Sequence, residues 1–447
     1  MSIAVCAFVP CPVHRDYAGE KRVKRINGHL LLLVSTTSYN GAAFRAAAER
    51  VGVDTLVGSD RCHQLQAGWP DDGMLTLDFR DPANAAAQIV ESSRARPLAG
   101  VVPTSELTAV IAALAGERLG LPHNPPDAAF AAGNKALLRA RLHRGGVATP
   151  SFSVVPFDGD AETIARGVRY PCVLKPLLLS ASRGVIRADD ERSFVVAYHR
   201  IARILSDPEL LAKDAVAARQ ILIEDFVPGF EVAVEALLTR GELTVLAVFD
   251  KPDPLDGPYF EETLYVTPSR LPPEVQRSIA ETTGLAARAI GLVEGPVHAE
   301  LRLPLSSAKV VPVVIEVAAR SIGGLCGRAL RFGAGMSLEE LLVRHAVGAP
   351  LPSVSREASA SGVMMIPTPR AGVLTRVDGL ERARALDGIS EVVIDTVGKR
   401  LLPVPEASSY VGFIFARGAT PAEVEAALRA AHATLELHVT PELAAMS

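Results

Sequence analysis

Short, fully apolar runs alternate along this chain with stretches whose apolar residues recur every three or four positions. HLLLLVST, from His29, opens the pattern with five apolar residues in succession, Leu30 to Val34. Such a run reads as a strand buried on both faces, as in a parallel sheet. An Ala-rich amphipathic helix is expected from Gly41 to Val51, then a second strand at VDTLVGSD. LAGVVPTSE gives a third strand, and TAVIAALAGERLG gives a helix that ends on Gly120. This alternation predicts a doubly wound α/β unit up to about Pro126. Residues 1–28, before the first strand, read as an irregular or mobile extension.

Beyond Pro126 the texture changes. GNKALLRARLHRGGVATP reads as a helix capped by Asn134 and closed by Gly145-Gly146. SFSVV and YPCVLKP are short strands, followed by the small-residue loop LLSASRGV and a helical stretch to about Gln220. ILIEDFVPGFEVAVEALLTRGELTVLAVFDKP reads as strands joined by turns at Pro228-Gly229 and Arg240-Gly241. A helix near 273–290 precedes two strands, GPVHAELRL and VVPVVIEVA. Residues 351–447 read as a separate α/β region with an Ala/Glu helix at 421–434.

Composition narrows the function. The 447 residues are 49% hydrophobic and 21% charged, enough apolar content for a large core. A net charge of −4 argues against a nucleic-acid binder, because phosphate backbones select basic surfaces. Five scattered cysteines without a CxxC pair support neither a disulfide framework nor structural zinc. No apolar run approaches membrane-spanning length, and the basic residues near the start follow the apolar opening rather than precede it, so a cytoplasmic protein is expected. A G-x-G-x-x-G turn after the first strand is missing, which weighs against a dinucleotide-dependent oxidoreductase. The later GAGMSL reads instead as a helix start, with Ser337 as cap and Glu340 three residues on.

Three anomalies carry the chemistry. Glu300 and Glu316 each sit among apolar residues in consecutive strand candidates, and an antiparallel hairpin would set their carboxylates side by side. Adjacent carboxylates repel unless a cation lies between them, and oxygen ligands without nearby His or Cys spacing favour Mg²⁺. Arg320, four residues on, could grip phosphate oxygens with its planar fork; a plain Glu–Arg ion pair at a strand end is the bland alternative. Lys175 ends an apolar strand before a backbone-rich loop, and Lys135 lies in the first turn of its helix, both suited to holding phosphate. In EDFVPGFEVAVE, Glu224 and Glu231 bracket a Pro-Gly turn beside Phe226 and Val227, an arrangement able to accept a purine and a ribose.

This order of pieces resembles the ATP-grasp superfamily over about residues 126–350, with the preceding α/β unit as its usual N-terminal domain. The E-x-A-A-R ending, Glu316 to Arg320, and the segment FDKPDPLDGPYFEETLYVTPSRLP resemble the bacterial L-amino-acid ligases, which make dipeptides. The resemblance implies an α/β ATP-grasp fold: an N-terminal doubly wound domain at 29–125, a two-lobed core at 126–350 with a lid lobe at about 150–225, and a C-terminal α/β domain at 351–447. It further implies that Lys135 and Lys175 contact ATP phosphates and that Ser180 to Gly184, with Ser182 between them, form a lid loop. Glu224 would accept from the adenine amine, Phe226 and Val227 would line the purine slot, and Glu231 would hold the ribose. Glu300 and Glu316 would bind Mg²⁺, with two ions expected and Mn²⁺ as the alternative, and Arg320 would stabilise the transferred phosphate.

Two departures stand out. Ala318 replaces an Asn common as a further metal ligand, and the loop after Lys175 has Leu179 where relatives carry an early glycine. For the substrates the weaker candidates are Glu262 and His298 for an ammonium group, Arg328 for a carboxylate, and Gly323 and Gly324 for space. The expected activity is ATP-dependent joining of an amino acid carboxylate to an amine through an acyl phosphate. Alternatives are a carboxylase-type enzyme using bicarbonate, weakened by the absence of an A-M-K-M biotin motif, and a degraded nucleotide-binding regulator. Small-molecule partners are expected, with a homodimer plausible on base rate.

Overall fold

The computed structural model describes residues 25–35, 40–60, 73–211, 216–304, 310–394, 396–407 and 410–441. Most of the expected N-terminal extension, Cys6, Cys11, Cys62 and most of the turn LPLSSAK lie outside the described residues. The first unit is a parallel sheet in the order β3-β2-β1-β4, from β1 (His29–Leu33), β2 (Asp54–Ser59), β3 (Met74–Thr76) and β4 (Leu98–Pro103). Leu30 to Leu33 have no solvent exposure, as the unbroken apolar run requires of a strand covered on both faces. The helix Glu106–Leu119 starts at a reciprocal Ser105/Thr108 capping box, which brings Glu106 to the C-terminal edge of this sheet.

A second sheet, this one antiparallel, comprises β5 (Phe152–Pro156), β6 (Cys172–Pro176), β7 (Ile186–Ala188) and β8 (Gln220–Asp225), in the order β5-β8-β6-β7. The helix Glu191–Leu205 packs Phe194, Tyr198 and Ile201 onto it. The helix Lys135–Arg144 begins at Asn134, whose side chain accepts from the N–H groups of Ala136 and Leu137.

The largest sheet has eight strands. Its first five in chain order are β9 (Phe230–Thr239), β10 (Glu242–Lys251), β11 (Leu264–Thr267), β12 (Gly295–Leu303) and β13 (Val313–Ala318). After a two-residue ribbon, β14 (Arg331–Phe332) with β15 (Met336–Ser337), come β16 (Ala360–Ile366), β17 (Gly372–Asp378), β18 (Ile389–Val393), β19 (Arg400–Leu401), β20 (Gly412–Gly418) and β21 (Glu436–Thr440). The large sheet runs β13-β12-β9-β10-β11-β16-β20-β18, and β19-β17-β21 form a small one. Residues 351–447 are therefore not structurally separate. Three of their strands extend the same sheet, because β11 leaves an open edge that β16 pairs antiparallel, Leu264 opposite Met364. Ser337 caps its helix by accepting from the Glu340 N–H, as expected.

Gly229, in the turn between β8 and β9, has φ +112°, and a Cβ there would lie 2.1 Å from the Leu303 carbonyl oxygen. Backbone strain of this kind costs on the order of 1–3 kcal/mol even before the clash. Gly229→Ala is expected to lower the melting temperature in a circular dichroism melt, whereas Gly241→Ala, with nothing within 4 Å, should lower it less.

Candidate active site

A cavity of about 320 Å³ opens where the three sheets meet. It is lined by Lys135, Lys175, Ser180, Ser182, Glu224, Phe226, Val227, Glu231, Glu262, His298, Glu300, Glu316, Arg320, Gly323 and Gly324. One expectation that locates the site is met by register: β12 and β13 pair antiparallel with Glu300 directly opposite Glu316, beside an irregularity between Glu300 and Leu301. Arg320 follows at the end of β13, where its Nε donates to Glu106 at 2.9 Å. The N-terminal unit thus aims the guanidinium from across the cavity.

The structure redraws several partners. Glu224 is 3% exposed, and its carboxylate bonds to Arg139 at 2.9 Å and to the Lys175 ammonium. Burial alone would raise its pKa, but the charges and hydrogen bonds of Arg139 and Lys175 outweigh that and bring it to about 2. Both Glu224 oxygens are engaged by cations, Oε2 by Arg139 and Oε1 by Lys175, and each keeps a further lone pair able to accept. Glu231, also in the lining, is paired with Lys251 at 2.8 Å and Arg302 at 2.8 Å. Arg302 also donates to the Val227 carbonyl at 2.7 Å, and Phe226 packs between the guanidinium groups of Arg187 and Arg302, 4.1 and 5.1 Å from its ring centre.

Beneath the lining carboxylates lies Lys251, 3% exposed, whose ammonium contacts Glu231 and Glu300 (2.9 Å) and also Glu262. Burial opposes its charge, but the three carboxylates raise its pKa well above the ordinary value. Burial likewise favours neutral Glu300, yet Lys251 and His298 hold it well below the usual carboxylate range. Glu262 goes the other way, to about 7, because burial and the Glu300 charge together outweigh Lys251. His298 Nδ1 donates to the carboxylate of buried Glu235 at 2.6 Å; burial would lower its pKa, but hydrogen bonds to Glu235 and Glu300 bring it to about 9, so it carries charge at neutral pH.

Two candidates fall outside the cavity lining. Gly184 has φ +72° and its N–H donates to the Pro405 carbonyl at 2.9 Å, so it docks the Ser180–Gly184 loop onto the C-terminal region. Arg328 points to Glu391 at 2.8 Å, and the neighbouring Arg331 donates to the carbonyls of Arg328 and Leu330; neither lines this cavity. Ser180 and Ser182 do line the cavity, and Lys135 Nζ reaches the Leu179 carbonyl at 2.6 Å, tying its helix to the loop. The carboxylate oxygens of Glu300 and Glu316 suit a hard cation such as Mg²⁺, whose ligands are oxygens.

Sequence reasoning missed Lys251, Arg139, Arg302, Glu106 and Glu235. Three of them had a periodic signal: Arg139 is one helical turn beyond Lys135, Arg302 two strand positions beyond Glu300, and Glu235 four beyond Glu231. Lys251 and Glu106 had none, because their roles depend on which strand and which unit fold against them.

Because Glu224 titrates near 2 in the folded chain and near 4.5 when unpaired, its pairing contributes stability that is fully present above about pH 4.5. That contribution is lost as pH falls from about 4.5 towards 2 and amounts to roughly 3 kcal/mol. Urea unfolding followed by circular dichroism should show this acid sensitivity, and Glu224→Gln should flatten it. The same variant should cost about 3–5 kcal/mol at neutral pH, because it strands two buried cations.

Comparison with known proteins agrees with this geometry. Residues 168–329 match the model of an ATP-grasp domain, residues 44–123 an ATP-grasp N-terminal domain, and residues 364–440 the L-amino acid ligase C-terminal domain 2. The crystal structure of an L-amino acid ligase from Bacillus licheniformis superposes with a TM-score of 0.78 at 26% identity, covering 93% of this chain and 100% of that one. Uncharacterized protein y4rH of Sinorhizobium fredii is 23% identical over 418 residues, 92% of this chain and 83% of its own length. Alanine–anticapsin ligase of Bacillus subtilis is 27% identical over 248 residues, 53% of this chain and 51% of its own, so the match spans about half of that relative. The chain belongs to the ATP-grasp superfamily of ATP-binding ligases and, within it, resembles the L-amino-acid ligases.

Proposed function

We propose that this enzyme activates the carboxylate of an amino acid with ATP and joins it to an amine, a second amino acid, to give a dipeptide or related amide. The observation that carries this reading is the register of Glu300 opposite Glu316, with Arg320 at the end of the same strand and two lysines across one cavity. A carboxylate is a poor acyl donor because oxide would have to leave. Transfer of the γ-phosphoryl group of ATP makes an acyl phosphate, from which phosphate departs when the amine attacks.

Each residue has a task that its position allows. An ammonium group has three donors, so Lys135 and Lys175 retain hydrogen-bonding capacity toward phosphate oxygens beyond the partners they hold. Mg²⁺ on the oxygens of Glu300 and Glu316 would supply charge neutralisation at the phosphoryl group. Arg320, held by Glu106, donates to the oxyanion that forms as the amine attacks. Glu262, on the cavity wall with a pKa near 7, gains a cationic partner when a substrate ammonium arrives. The lid loop, docked at Gly184 and through Arg183 to the Glu406 carbonyl at 2.8 Å, excludes water that would hydrolyse the acyl phosphate.

The test is phosphate release from ATP and Mg²⁺ with the twenty amino acids, singly and in pairs, with mass spectrometry of the products. The expected result is phosphate release with particular pairs and a product mass equal to their sum less water. Arg320→Ala should reduce kcat by about 10²–10³-fold. Phosphate release with bicarbonate instead, or amide synthesis untouched by Arg320→Ala, would contradict the proposal.

A further inference from the structure

Lys251 ends β10, and its neighbour Asp250 points to the opposite face of the sheet. Asp250 is 1% exposed, and its carboxylate accepts from the Ser269 hydroxyl at 2.6 Å and from Arg270 Nε at 3.0 Å. Arg270 donates in turn to Glu425 at 2.8 Å, and Glu425 accepts from Arg429 at 2.9 and 3.0 Å. Arg429 then donates at 2.6 Å to Asp253, two residues after Lys251. The five charges alternate in sign and run from one side of Lys251 round to the other.

Glu425 and Arg429 lie one turn apart on the helix Pro421–Ala433. Its buried residues Val424, Leu428 and Ala431 pack in one cluster with Leu264, Val266 and Met364, which alternate along β11 and β16 with Tyr265 and Met365 of the cavity lining. The helix therefore covers the face of the sheet turned away from the cavity. Gly362 of β16 lets it come close, since a Cβ there would lie 2.8 Å from Val424 and 3.1 Å from Leu428. On the other side of the ring, Asp253 accepts from the Thr263 hydroxyl, and the Thr263 carbonyl accepts from the Met365 N–H at 2.7 Å. Asp253 and Thr263 bound the segment that carries Leu255, Phe260 and Glu262 to the cavity wall. The middle of that segment is held separately, by Arg187, whose N–H donates to the Pro258 carbonyl at 2.9 Å and whose Nη1 donates to that of Asp256 at 2.7 Å.

We propose that Arg429 and Glu425, on a helix that does not line the cavity, are positioning residues for the ligation: they clamp the ends of the Asp253–Thr263 segment and so fix Glu262, and with it the substrate's ammonium group. The inference rests on the ligase reading, in which Glu262 meets that ammonium, and adds how the carboxylate is held. Arg270 and Arg429 are 41% and 44% exposed, so each ion pair alone contributes little stability. What the ring supplies is direction. Thr263 follows Glu262 directly, and with its hydroxyl held by Asp253 and its carbonyl by β16, the Glu262 backbone is restricted to one course. Arg429 meets the carboxylates of Asp253 and Glu425 together, as a planar fork of donors does and a neutral side chain does not. Misplacement of a binding group by about 1 Å costs on the order of 10²-fold in rate.

The experiment uses the full chain with ATP, Mg²⁺ and an equimolar mixture of the twenty amino acids, following phosphate release, and reads hydrogen exchange of residues 252–263 by mass spectrometry. Arg429→Ala should raise the half-saturating amino acid concentration by about 10–10²-fold and leave the KM for ATP unchanged. Exchange in residues 252–263 should rise while that of Lys135–Arg144 stays as it was. Arg429→Lys, which keeps a cation between the two carboxylates, should recover most of the loss. Val424→Ala, which thins the packing of the same helix, should lower the melting temperature without changing the ratio of the two half-saturating concentrations. Exchange in 252–263 unmoved by Arg429→Ala overturns the proposal whatever the activity. Raised exchange with the ratio unaltered, or a ratio shifted equally by Val424→Ala, also overturns it and leaves the ligase standing. Raised exchange in a chain that releases no phosphate with any amino acid overturns the ligase reading and leaves the clamp on the segment in place.

Discussion

The arrangement depends on one buried ammonium. Lys251, at the end of β10, contacts Glu231, Glu262 and Glu300 from below the cavity floor, and those carboxylates come from β9, the segment before β11 and β12. Three carboxylates in an apolar sheet would otherwise take up protons or force the strands apart. With the lysine in place, Glu300 stays charged opposite Glu316, and Glu262 is left poised near neutrality. The same device recurs twice on a smaller scale: Arg139 lies behind Glu224, and Glu235 behind His298. The lining is thus backed by buried opposite charges that never touch the cavity.

Around this centre, separate parts of the chain complete one site. Glu106, from the first unit, fixes Arg320 of the central sheet. Arg200, on the helix Glu191–Leu205, pairs with Glu406 at 2.7 and 2.9 Å and also contacts the Tyr259 hydroxyl, next to Phe260 of the cavity wall. Arg200 and Glu406 are both about a third exposed, so this junction is of the weak, breakable kind. The C-terminal strands serve the site as well, because β16 carries Met365 into it.

Much of this was legible in the sequence. Unbroken apolar runs located the parallel strands, cap residues placed the helices at Asn134 and Ser337, and two lone glutamates in apolar strands gave the register of β12 and β13. Those signals are local, or lie between consecutive strands. What stayed hidden was pairing over long separations. Lys251 in FDKP carries no local signal, and only the order β12-β9-β10 puts it under Glu300. Glu224 and Glu231 were read as open acceptors because Arg139 and Arg302, which occupy them, reach across from other elements. Residues 351–447 looked autonomous because strand pairing to β11 leaves no mark on hydrophobic periodicity.

The account stands most directly on the Lys251 countercharge, and the decisive measurement is the melting temperature of Lys251→Met against pH, beside the unaltered chain. Without the ammonium, the carboxylates of Glu262 and Glu300 gain stability only by staying protonated. The variant should therefore lose stability steadily as pH rises from about 5 to 8 relative to the unaltered chain, and added Mg²⁺ should recover part of the loss. A variant whose profile runs parallel to that of the unaltered chain, indifferent to Mg²⁺, would contradict the claim that Lys251 is what keeps Glu300 charged.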